Sequence, residues 1–367
     1  MTATDEVQAA LHLLNSDRYA ESRAAPRSLV ELLARHAQGA LEVSGAEQTA
    51  WNGHVVEAGE GILGLAQWDG TLHLDREGIL EPLREMYSHS GEPQSDGTLV
   101  RYRQALVTML HEQSHFLGPA GATQESARAA FKQPGSRALE EGVAEAWAHD
   151  QLNDYLDRLG VDMVAPGITH VRSDPSYQAF VPAVRVLTSD LERRAGLPSG
   201  ELLQALNRQT AEGQWPMIVD VAYRSSRLPE CVPADREPAV RLRLENMLRA
   251  SFEGLEAFEG LPRDLAAARS KSTGRQCVTR LQDELSAAED FFQARGEHSP
   301  GTDAIRAPAQ PLSSAGTAFR QALSGLAPPD SSTAAVAADV ARRARPLVQQ
   351  VGPARSPHER MNNRTDR

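Results

Sequence analysis

At 367 residues the chain is long enough for about two domains, and its 24% charged and 41% hydrophobic residues exclude wholesale disorder and fibrous repeats. Aromatics make up only 5%, so the core must rest on Leu, Val and Ala, as in a mostly helical protein. With 38 basic against 49 acidic residues the formal charge is −11, which disfavours a nucleic-acid binder.

The first residues, Met-Thr-Ala-Thr-Asp-Glu-Val-Gln, carry no basic segment followed by an apolar one. They do not read as a Sec signal, so a cytoplasmic protein is the expectation, although export without such a signal would look the same. Residues 5–15 and 27–42 place apolar side chains at helical spacing and predict two amphipathic helices, an N-terminal segment over 1–42. From 43 to 75 short apolar runs alternate with Gly, Asn and Asp, and Asp69-Gly70 between two runs predicts a hairpin. Beyond Asp75 the pattern is helical, with elements expected near 76–88, 98–117, 122–132, 136–159, 174–195, 199–209, 215–225, 236–258 and 276–295. Gly118-Pro119-Ala120-Gly121 reads as a helix stop. From Gly296 to Pro329 the composition is that of a linker, and residues 336–367 hold seven Arg against Asp339, Glu359 and Asp366, a local +4. That basic tail is a candidate docking segment for an acidic protein partner or a membrane surface.

No stretch approaches the ~18–20 continuous apolar residues of a membrane span. Cys231 and Cys277 are too few for a disulfide framework and lack metal-ligand spacing, so they read as free thiols.

One stretch carries chemistry: Leu106-Val-Thr-Met-Leu-His111-Glu112-Gln113-Ser114-His115. His111 and His115 are i,i+4, one helical turn apart on one face, where both imidazoles can reach a single tetrahedral ion. Glu112 lies about 100° around the helix, placed to hold a metal-bound water. His-Glu-x-x-His arises by chance in roughly 2% of chains of this composition, so its presence weighs heavily. The preceding apolar run predicts a buried helix, and buried histidines beside a carboxylate need partners that a metal supplies.

This motif resembles that of the zincin metallopeptidases. The metzincin extension would require a His at 121, where this chain has Gly121. Leu139-Glu140-Glu141-Gly142-Val143-Ala144-Glu145-Ala146-Trp147 instead resembles the gluzincin branch, which takes a third ligand from a following helix. The resemblance covers at most residues 50–225. It implies zinc held by His111, His115 and Glu141, with Glu145 one turn on orienting a ligand histidine. It implies Glu112 as general base for a zinc-held water, and a peptide bond in a peptide or protein as substrate. Gln113 departs from the apolar residue the family often places there. The family often adds a Tyr or His that hydrogen-bonds the tetrahedral intermediate, and Tyr223 is the candidate, with Tyr177, His149 and His170 as alternatives.

Helical register separates the adjacent acids. Leu139, Val143, Ala146 and Trp147 form one stripe, and Glu141, Glu145, Ala148, Leu152 and Leu156 form another nearly opposite. Glu141 and Glu145 are therefore expected to face the interior and Glu140 to turn to solvent. The expected fold is α+β: a small, mostly antiparallel sheet beside the active-site helix in a lobe over 43–135, then a helical lobe over 136–295 with the third ligand. The linker and basic tail occupy 296–367. Two alternatives remain open: a catalytically idle zincin scaffold that binds a protein, and an interaction protein whose zinc is closed by a fourth protein ligand.

Overall fold

The computed structural model describes residues 25–296. The helix expected at 5–15, the 297–329 linker and the basic tail lie outside the described residues.

Helix α1 (Leu29–Ser44) starts where the Ser28 hydroxyl accepts the Glu31 amide and ends at Gly45, whose φ of 66° only glycine adopts freely. Its buried stripe, Leu29, Leu32, Leu33, His36, Ala37 and Ala40, follows the predicted 3.6-residue period. Strand β1 (Gln48–Thr49) pairs antiparallel with β5 (Leu117–Gly118). Strands β2 (Val55–Glu57), β3 (Gly64–Ala66) and β4 (Leu72–Leu74) form a sheet of order β2-β4-β3, with β3 at an edge. The β3–β4 pair is antiparallel, and the expected Asp69-Gly70 turn closes it, Gly70 sitting at φ 90° and donating its amide to Gln67. The β2–β4 pair is parallel, so the three-stranded sheet is mixed. Mostly helix with a small sheet, the fold is α+β.

A π-helical turn over Arg76–Leu80 leads into α2 (Glu81–Ser88). Helix α3 (Asp96–Ser114) is capped by Ser95. Its C-terminal half is buried from Ala105 to Gln113 except for half-buried Thr108, which makes it the central helix. It stops at Ser114, short of the expected 117, because the chain turns there to lay β5 against β1. Short α4 (Gln124–Phe131) precedes α5 (Ser136–Leu159), which packs across α3 and also against α1 and α6. Of its two expected stripes every residue is buried except Glu141, which is partly exposed.

Helices α6 (Val181–Ala195), α7 (Glu201–Asn207), α8 (Ala211–Arg224), α9 (Leu228–Cys231), α10 (Glu237–Glu253) and α11 (Arg263–Gly296) complete the described residues. Two starts differ most from expectation. Helix α6 begins at Val181, not 174, because Asp174 precedes a proline that disfavours helix, leaving 174–180 as a loop. Helix α11 begins at Arg263, not 276. The glycine within it serves close packing on α6, where a Cβ at Gly274 would lie 2.9 Å from the Ala183 Cα. The Ser270 hydroxyl also accepts the Ala183 amide. One contiguous core runs from α1 to α11 through both expected lobes. None of the described helices is long and apolar enough to cross a membrane.

Candidate metal centre

The last turn of α3 carries His111 and Glu112, and His115 caps it in helical conformation, so the two imidazoles stay one turn apart. Their Nε2 atoms are 3.2 Å apart. Helix α5 lays three carboxylates against them. Its seating depends on Gly142, where a Cβ would meet Val184 on α6 at 2.6 Å.

Glu141 Oε2 lies 3.3 Å from His111 Nε2 and 3.7 Å from His115 Nε2. Behind the imidazoles, Glu145 Oε2 lies 2.8 Å from His111 Nδ1, and Glu140 Oε1 accepts from His115 Nδ1 at 3.1 Å. With Glu140 against His115 Nδ1 and Glu145 at ion-pair distance from His111 Nδ1, both Nε2 atoms and Glu141 Oε2 face one another. Oε2 is buried with no hydrogen-bond partner among the described residues. Three electron-rich atoms converging in a buried site repel unless a proton or a cation sits between them. A tetrahedral ion with ~2.0 Å bonds has ligand atoms about 3.3 Å apart, close to the three separations observed. His111, Glu112 and His115 also present ligand atoms within 4.8 Å of one another, so this group can hold a metal ion.

The electrostatics agree. Burial opposes charge on His111, yet the Glu141 and Glu145 carboxylates overcome it and raise the pKa to about 10. His115 is likewise raised well above the ordinary histidine value, against burial, by Glu140 and Glu141. Burial works against charge on Glu141 and Glu145 too, but the histidines hold both well below the usual carboxylate range. The cluster thus demands positive charge, as protons or as a metal that displaces them.

Glu112 faces β3, where its Oε2 accepts the Ala66 amide at 2.9 Å. Burial raises its pKa, partly offset by the histidines and this bond. The fit is tight: a Cβ at Gly64 would lie 2.6 Å from Glu112 Oε1. Gln113, fully buried, donates to Thr49 Oγ1 at 2.7 Å and ties the histidine helix to β1, which accounts for a polar residue at this position.

Expectation and structure part at two residues. Glu140 does not turn to solvent but is buried against His115, because α5 is covered on both flanks. Tyr223 is not at the site: it is buried in α8 beneath the Arg241 guanidinium, 4.3 Å from its ring centroid, where Asp220 and Glu237 hold that arginine. The tyrosine that reaches the histidines is Tyr177, on the loop before α6. Its ring stacks on His111 at 5.3 Å and 8°, and Phe180 stacks behind it at 5.8 Å. The Ser176 amide beside it donates to Glu145 Oε1. His149 Nε2 lies 3.3 Å from the same oxygen, and His170 is exposed. The roles of Gly64 and Ala66 left no signal in the sequence, since both depend on where β3 lands. No family model matches this chain, and neither a curated protein nor a solved structure matches it.

Proposed function

We propose that this protein is a zinc-dependent metallopeptidase of the zincin type, gluzincin branch, with His111, His115 and Glu141 as ligands and Glu112 as general base. The observation that carries this reading is the convergence of two Nε2 atoms and one carboxylate oxygen at 3.2–3.7 Å, with Glu112 alongside. Zinc bound there supplies a Lewis acid that lowers the pKa of a water toward ~7 and polarises a carbonyl. The Glu112 carboxylate, steadied by the Ala66 amide, takes the water's proton and returns it to the leaving amine. Tyr177 replaces Tyr223 as candidate donor to the oxyanion. The Glu141 charge and burial both raise its phenol pKa, so the hydroxyl keeps its proton.

A site closed by a fourth protein ligand is less well supported. Among the described residues the carboxylate grouped with the two histidines is Glu112, and one of its two oxygens, Oε2, accepts the Ala66 amide, which turns it toward β3. The test is zinc analysis of metal-replete protein combined with a peptide-library assay on wild type and Glu112→Gln. One zinc per chain with turnover lost in the variant supports the reading. Zinc without turnover in wild type points to the idle scaffold, and less than about 0.1 zinc per chain overturns the metal site.

A further inference from the structure

We infer that Glu140 is a positioning residue for the metal, holding His115 through its Nδ1, so that α5 supplies one ligand and a carboxylate behind each imidazole. This rests on the metal reading above. A neutral imidazole has one lone pair, and its tautomer decides which nitrogen offers it. A carboxylate only accepts, so Glu140 Oε1, 3.1 Å from His115 Nδ1, fixes the proton there and leaves Nε2 to the ion. Around α5, Glu140 stands about 100° to one side of Glu141 and Glu145 about 40° to the other. One straight helix thus reaches the backs of both imidazoles while Glu141 points between them.

The environment of Glu140 favours this role over a purely structural one. Its side chain is buried, and its Oε2 has no hydrogen-bond partner among the described residues. A buried carboxylate satisfied on one oxygen costs stability, so its contact with His115 is the feature that makes sense of it. Helix α3 covers one flank of α5 and α6 another, and the acid is held against the imidazole.

The experiment measures zinc affinity by chelator competition, and the visible spectrum of the Co²⁺-loaded protein, for wild type, Glu140→Gln, Glu140→Asp and Glu145→Gln. Circular dichroism of the metal-free proteins checks folding. Glu140→Gln is expected to bind zinc 10–100-fold more weakly, matching Glu145→Gln, with altered Co²⁺ bands. Glu140→Asp keeps the charge but retracts the oxygen, and should also bind more weakly. Wild-type affinity and spectrum in Glu140→Gln would overturn the inference and leave the metal site standing. Wild-type affinity in Glu140→Asp would overturn the hydrogen-bonding role, leaving charge alone. Absence of zinc binding in the wild type would instead overturn the metal reading, and this inference with it. If Glu140→Gln fails to fold, the Asp variant carries the same decision.

Discussion

Replacing Gly64 by Ala tests whether β3 sets the position of the general base. The new Cβ would stand 2.6 Å from Glu112 Oε1, 2.7 Å from its Cγ and 2.9 Å from its Cδ. Ordinary contact begins near 3.4 Å, so the carboxylate must retreat by about 0.8 Å. The atoms in the way belong to a side chain, not to backbone, so Glu112 yields before the strand does. Gly64 is also not held at positive φ, and alanine brings no backbone strain there. Stability should therefore change by less than about 1 kcal/mol. Catalysis is far less tolerant, since a misplacement near 1 Å can cost about 10²-fold. We expect kcat on a cleavable peptide to fall about 100-fold, or about 2.7 kcal/mol, while zinc affinity stays within about threefold. Steady-state kinetics with zinc competition on the same preparations decides the matter. A zinc-loaded Gly64→Ala protein with wild-type kcat would show that Glu112 is not the base or that β3 moves freely. Zinc affinity falling as steeply as kcat would show that the strand supports the ligands instead.

Exchanging Glu141 for Gln should sharply weaken zinc binding, whereas Glu112→Gln should keep the metal and abolish hydrolysis; equilibrium dialysis and a peptide assay separate the two. Tyr177→Phe should lower kcat by about 10²-fold if its hydroxyl meets the oxyanion, and Tyr223→Phe should leave kcat unchanged, the reverse pattern sinking the reassignment. Gly274→Ala gains about 1 kcal/mol of helix propensity but forces α11 off the Ala183 backbone, an overpacking cost of about 1–3 kcal/mol, so urea unfolding should show net destabilisation. His36 adds a pH dependence: burial lowers its pKa to about 4 from 6.5, despite its Nδ1 contact with the Leu33 carbonyl. Above pH 6.5 it is neutral folded or unfolded, and below that the unfolded chain alone takes up the proton. Metal-free protein should therefore lose about 3 kcal/mol between pH 6.5 and 4 through this residue. His36→Phe should flatten that slope in urea titrations, and an unchanged slope would remove His36 as its source.

What the sequence determined by itself is what helical period and turn chemistry carry locally. The i,i+4 spacing puts His111 and His115 on one face whatever packs around them. The same period places Glu141 and Glu145 on one side of α5, and Asp69-Gly70 marks the β3–β4 turn. The start of α6 was legible in the Pro at 175, which disfavours helix at Asp174, whereas the start of α11 was not, because the Gly at 274 has a meaning that the neighbouring α6 decides. The tertiary structure alone decided the remainder of the site. Glu140 looked free to face water because a lone helix has an outside, but α5 has little, and its flank is covered by α3 and the His115 ring. Tyr177 and Tyr223 are indistinguishable by local pattern, yet one ends on His111 and the other under Arg241. The Ala66 amide meets Glu112 across 46 positions of chain. Such contacts depend on where separate elements come to rest against each other, and hydrophobic packing, which sets those positions, is non-directional and leaves no local mark at the residues it joins.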